Sequence, residues 1–194
     1  MSSRPTRIAL LDSSGADFEF IGIVIGHPCE LNEISNKLSR RRVHMRELSR
    51  ERRRRIARAF LDMVSRRLDA LILSLRTHLS TIIRRLREER PRIPSSRARA
   101  LCFRALSLIL ADIIYQHPVS KIVADREFEL LWNSSGVRLA SSEPDNPLLG
   151  LADIAAWINN QVARRKLKLG RKHSAIIRKI DIMDKLRSSL RLAG

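Results

Sequence analysis

The sequence predicts an α/β fold: a mixed five-stranded sheet with flanking helices and a basic helical tail at the C-terminal end. Three observations carry that expectation. Short runs rich in Ile, Val, Leu and Phe are bounded by turn residues, the pattern of strands. Longer apolar stretches follow a helical period. Helical sequence also lies between the third and fourth strand candidates, enough to cross over the sheet and lay the fourth parallel to the first.

Taken in order, residues 8–11 and 18–25 read as strands, with Gly15 in the turn between them free to take a positive φ. Gly22 and Gly26 mark a bulge or a close backbone approach in the second strand. Pro28 ends that strand, and a short helix is predicted over 31–38. Ser49 reads as the N-cap of a helix to about Arg67, because Ile56, Ala59, Phe60, Met63 and Val64 form one buried stripe. Residues 70–75 read as the third strand and 79–89 as a helix, with a break at 90–94. Ser95 or Ser96 then caps a strongly apolar helix through Tyr115, which His117 and Pro118 interrupt. The fourth strand is predicted over 121–124 and the fifth over 137–140, with a mixed segment around Trp132 between them. Pro144 and Pro147 bracket a loop before a helix from about 148 to 162.

These elements are assigned to one domain, residues 1–163, and residues 164–194 to a basic amphipathic tail. There Ile176, Ile180, Met183, Leu186 and Leu190 form one apolar stripe. A tail of that kind docks on the body, binds a protein partner through its helix, or serves as a nucleic-acid arm.

At 194 residues and 44% hydrophobic content the chain can bury one full core. Lys and Arg number 38 against 20 Asp and Glu, a net charge of +18, and only seven of the basic residues are lysine. Arginine grips phosphate bidentately and keeps its charge when partly buried, so nucleic acid is the expected partner. An ion-paired thermophile surface is the alternative, but the excess here is net charge rather than balanced charge. The candidate phosphate contacts are Arg52, Arg53, Arg54 and Arg55, then Arg164, Arg165, Lys166, Lys168, Arg171 and Lys172. The first four open a helix, where cations oppose its dipole, so helix stability does not select them. Aromatics at 4% argue against stacking on unpaired bases, which favours a duplex or folded RNA, and RNA over DNA.

Cys29 and Cys102 are too few for a disulfide framework and lack metal-ligand spacing, so a reduced cytoplasmic setting and two core cysteines are expected. No apolar run approaches the roughly 20 residues of a membrane span, and no membrane partner is expected. A Gly-rich phosphate loop, a paired-cysteine zinc motif and a serine-nucleophile elbow are all absent from the sequence.

The chemistry rests on three acids. Asp12 follows the apolar run 8–11, Asp125 follows 122–124, and Asp153 interrupts an apolar helical stretch. Carboxylates in such places are costly without a cation to compensate them. Gathered together they would hold Mg²⁺ or Mn²⁺, hard ions that take oxygen ligands, with Asp145 as a reserve ligand. Each acid also has a plainer role: an Asx turn for Asp12, a cap or a pair with Arg126 for Asp125, a structural pair with an arginine for Asp153. Glu127 and Glu129 read as surface acids, either of which could complete the site. His44 and Glu47 are candidates for a general base or outer ligand.

The opening Ile8-Ala9-Leu10-Leu11-Asp12-Ser13-Ser14-Gly15 and the closing Leu148-Leu149-Gly150-Leu151-Ala152-Asp153 resemble motifs of the ribonuclease H-like superfamily. More narrowly they are similar to a domain-of-unknown-function family in it, with an opening Asp-Glu-Ser-Gly strand end and a closing Leu-Gln-Leu-Ala-Asp helix. The chain departs from that pattern twice, at Ser13 in place of an acid and at Gly150 in place of glutamine. The resemblance implies a metal-dependent nuclease acting on RNA or a nucleic-acid duplex, with Asp12, Asp125 and Asp153 as catalytic metal ligands. A nucleic-acid-binding protein that kept the fold while its site decayed is the alternative.

Overall fold

The structure, a computed structural model, describes residues 6–39, 41–67, 70–136 and 139–192. Strand β1 (Arg7–Ser14) lies at the heart of the sheet. It turns through residues 15–19 into β2 (Phe20–Gly26), which pairs with it antiparallel and sets Asp12 opposite Gly22. Two helices follow, α1 (Pro28–Leu38) and α2 (Arg50–Val64), and then β3 (Leu71–Arg76), antiparallel to β2. The crossover of α3 (Leu79–Glu89) and α4 (Ser95–Tyr115) returns the chain to β4 (Val119–Ala124), parallel to β1. Helix α5 (Glu127–Ser135), the short β5 (Ser141–Ser142) and α6 (Leu149–Ala163) come next. The expected α/β architecture, a mixed sheet flanked by helices, is therefore present.

The tail differs from its expectation. It forms α7 (Arg171–Ala175), β6 (Ile177–Asp181) and α8 (Met183–Leu190) rather than one helix. β6 pairs parallel with β3, so the five strands gain a sixth and the order becomes β5-β4-β1-β2-β3-β6. Ile182, Leu186 and Leu190 are buried in the main core. The stripe at 176, 180 and 183 fitted a helical period, yet Ile177 and Ile180 instead belong to a short edge strand.

Alternation along β1 divides the interior. Ala9 and Leu11 join a cluster with α3, α4, α5 and α8, whereas Ile8 and Leu10 join one with α1, α2 and α6. Asp12 continues the second series and so lies on the α6 side of the sheet.

Smaller differences have local causes. Pro28 begins α1, where its missing N–H costs nothing. Ser49 does cap α2, its hydroxyl accepting from the Arg52 amide at 3.3 Å. Neither serine caps α4, because Ser95 is already its first residue and Pro94 takes the cap position. Of the fifth strand expected over 137–140, residues 137 and 138 lie outside the described residues, and the pairing with β4 is made by Ser141 and Ser142. Cys29 is exposed, whereas Cys102 is buried in α4, which pushes its thiol up to about 12. No helix among the described residues is long and apolar enough to cross a membrane.

Candidate functional site

Three elements bring the aspartates together. Asp12 lies near the end of β1 and is buried, at 4% exposure. The Asp125 amide donates to the Leu11 carbonyl at 3.2 Å, which extends the parallel β1–β4 ladder and sets Asp125 beside Asp12. Asp153 comes from the first turns of α6. Gly22 admits that helix: a Cβ there would lie 2.3 Å from the Ala156 nitrogen and 2.6 Å from the Ala152 carbonyl oxygen. The hinted close approach in the second strand is thus the seat of α6 on the sheet.

These side chains open into a cleft of about 820 Å³, lined also by Ser13, His44, Arg46, Arg53, Arg126 and Glu127. Burial, and after it the charges of Asp153, Asp125 and Glu127, push the Asp12 carboxyl well above its ordinary value, against the pull of the Ser13 amide. Burial also raises Asp153, although the Met45 amide, donating at 2.8 Å, and the charges of His44 and Arg42 oppose it. The acids of one cleft feel one another.

Two further residues belong to this constellation. Glu127, the first residue of α5, accepts at one carboxylate oxygen from the Ser13 hydroxyl at 2.6 Å and the Ser13 amide at 3.2 Å. The position that departs from the acidic motif therefore holds an acid delivered from another element. Arg42 extends from the loop between α1 and α2. Its Nη2 lies 2.5 Å from Asp125 Oδ2 and 3.3 Å from Asp12 Oδ2, and its Nη1 donates to the Pro144 carbonyl. Gly150, the second departure, makes room for that loop, since a Cβ on it would meet the Val43 nitrogen at 2.7 Å. In the sequence Arg42 is one of three successive arginines, and no local signal distinguishes it.

The remaining candidates divide. His44 lines the cleft, but Glu47 and Asp145 do not; Asp145 is exposed and borders a separate depression with Asn32 and Asn146. Glu129 lines the cleft, next to Leu130. Arg53 lines it too, with its Nη2 donating to the Arg46 carbonyl at 2.7 Å. Arg52, Arg54 and Arg55 are exposed on α2; Arg164, Arg165, Lys166 and Lys168 are exposed after α6, and Arg171 and Lys172 on α7. Gln161, near the end of α6, lines the cleft, and the exposed Arg164 and Arg165 follow it within four residues; of the basic candidates only Arg53 itself lines the cleft.

The donor chemistry suits a hard divalent cation: five carboxylates, those of Asp12, Asp125, Glu127, Glu129 and Asp153, line one partly enclosed cleft. As the side chains stand, however, no three His, Cys, Asp or Glu among the described residues are arranged to hold a metal ion. The Arg42 guanidinium occupies the space between two of them. Comparison of the chain with protein-family models, with curated proteins and with solved structures found no match.

Proposed function

We propose that the chain is a divalent-metal-dependent nuclease of the ribonuclease H-like type, hydrolysing phosphodiester bonds in RNA or a nucleic-acid duplex. The observation that supports this reading best is the meeting of Asp12 and Asp125, from neighbouring parallel strands, with Asp153 from α6, in a cleft flanked by arginine. Asp12, Asp125, Asp153 and Glu127 would hold Mg²⁺ or Mn²⁺. A metal bound there supplies Lewis acidity toward the phosphate and lowers the pKa of attacking water.

The chain's own residues do the rest. The Met45 amide fixes the Asp153 carboxylate, and Ser13 fixes Glu127, so two of the four acids enter the cleft already oriented. Arg46, Arg53 and Arg126 at the cleft wall match the charge of a phosphate backbone. Exposed arginines on α2 and after α6 would extend that match beyond the cleft.

Arg42 favours a second reading, in which a guanidinium permanently stands in for the metal and the protein binds nucleic acid without cutting it. One assay separates the two. Purified protein is incubated with structured RNA, RNA–DNA hybrid and duplex DNA, in Mg²⁺, Mn²⁺ or EDTA. The nuclease reading expects cleavage that requires metal and is lost in Asp12→Asn and Asp153→Asn. Retention of nucleic acid without cleavage in either metal supports the second reading and removes the first.

A further inference from the structure

Arg42 is a cation seated among acids, and its attachment is incomplete. Its side chain is only 10% exposed. Its Nε is buried and has no hydrogen-bond partner among the described residues. One nitrogen, Nη2, serves both Asp12 and Asp125, and the 3.3 Å contact is long for a charge-assisted bond. A well-built arginine–carboxylate pair is a bidentate fork, with two nitrogens on two oxygens of one acid. This geometry instead bridges two acids from one point, as a bridging cation does.

The anchorage of the loop has the same character. Val43 packs against Gly150, and the Met45 amide holds Asp153, so the loop is pinned just after Arg42. On the other side of Arg42, Arg41 is exposed and lies in neither helix nor strand. Its amide donates to Ser39 Oγ at 3.2 Å, a bond that does not involve the guanidinium, so a withdrawal of the Arg42 side chain would break neither that contact nor those of Val43 and Met45.

From this we infer that Arg42 is a built-in counter-ion that competes with divalent metal for the Asp12 and Asp125 carboxylates, and that metal loading requires its withdrawal from the cleft. The inference rests on reading the cleft as a metal site and adds how that site is regulated. Arg42 already engages Asp125 Oδ2; a divalent metal held by the Asp12 and Asp125 carboxylates would draw on the same groups and be repelled by the guanidinium, so occupation by one would exclude the other. The apparent metal affinity then equals the intrinsic affinity multiplied by the fraction of molecules whose Arg42 has withdrawn.

The test is Mn²⁺ titration of the full chain, followed by the electron paramagnetic resonance of free Mn²⁺, for wild type, Arg42→Ala and Arg42→Gln. Glutamine keeps a polar side chain of intermediate length and gives a second variant if alanine is not tolerated. Both variants should bind Mn²⁺ more tightly than wild type, by about tenfold or more if Arg42 is withdrawn in at most a tenth of molecules. Low millimolar methylguanidinium should weaken Mn²⁺ binding by Arg42→Ala and leave wild type unchanged. Equal or weaker binding by folded variants, with wild type binding normally, overturns this inference and leaves the metal-site reading standing. Binding by none of the three overturns both.

Discussion

Gly22 lies directly across from Asp12 in the β1–β2 register, and a Cβ on it would fall 2.3 Å from the Ala156 backbone nitrogen. The residue opposite the buried acid is therefore the one that lets α6, with Asp153, rest on the sheet. Gly22→Ala should separate the helix from the strand, since backbone rather than a flexible side chain stands in the way. A loss of roughly 1–3 kcal/mol is expected for such overpacking, read from denaturant midpoints. Gly26→Ala should cost less, because the atoms nearest its added Cβ belong to the Leu31 side chain, from 3.1 Å, rather than to backbone. Equal losses at the two sites would disprove this account of α6.

Ser13 and Glu127 offer a second test. If Glu127 is a working acid held by Ser13, then Ser13→Ala should weaken metal binding or cleavage by about tenfold, in the range for residues that orient a ligand. Glu127→Gln should cost more. The Ser13 effect should vanish in the Glu127→Gln background, since the hydroxyl then has no carboxylate to orient. Additive losses in the double variant would show that the two act separately.

A third prediction concerns pH. The Asp12 and Asp153 carboxyls are raised in the folded chain, first of all by burial. The folded state then keeps protons that the unfolded chain has released. Stability should fall as pH rises from about 3.9, the unfolded aspartate value, through the raised folded values, and stay low above them. Metal-free Asp12→Asn, which has no charge to bury, should be more stable than wild type at neutral pH and converge with it below about pH 4. Unfolding curves at a series of pH values in EDTA measure this. A constant difference across the window would rule out Asp12 as its source.

The sequence disclosed the strands β1 to β4 because each is a short apolar run with turn chemistry at its ends. It disclosed the three aspartates because an acid within such a run is conspicuous. It could not disclose Arg42, and it offered Glu127 only as a surface acid that could complete the site. Their roles depend on contacts with Asp125, 83 residues away, and with Ser13, 114 residues away, and neither residue is locally unusual. Helix α5 was obscured because its buried Phe128, Leu131 and Trp132 alternate with acids and with the exposed Leu130. The tail misled for a different reason: isoleucines at 176, 177 and 180 suit a helix and a parallel edge strand about equally, and only pairing with β3 decides between them.

The last prediction is about how nucleic acid is held. Deleting residues 164–194 cannot test it, because that segment includes β6 and the buried Leu186 and Leu190, so truncation would remove part of the sheet and core. Substitution of exposed side chains leaves the fold alone. Arg164, Arg165, Lys166 and Lys168 are exposed beyond α6, where Arg164 approaches Glu19 at 3.8 Å. Each that neutralises a phosphate adds about −0.9 to the slope of log affinity against log salt on duplex DNA, or about −0.7 on a single strand. Replacing Arg164 and Arg165 with glutamine should therefore flatten the duplex slope by about 1.8 if both make contact, and weaken binding to all sequences alike. Arg52→Gln with Arg54→Gln should do the same from α2. Cleavage of saturating substrate should persist in both double variants, because none of these four side chains lines the cleft. Filter binding across salt concentrations measures the slopes. If both pairs left slope and affinity unchanged, the net charge of +18 would have to engage nucleic acid through other arginines, and the two flanking elements would not be the interface.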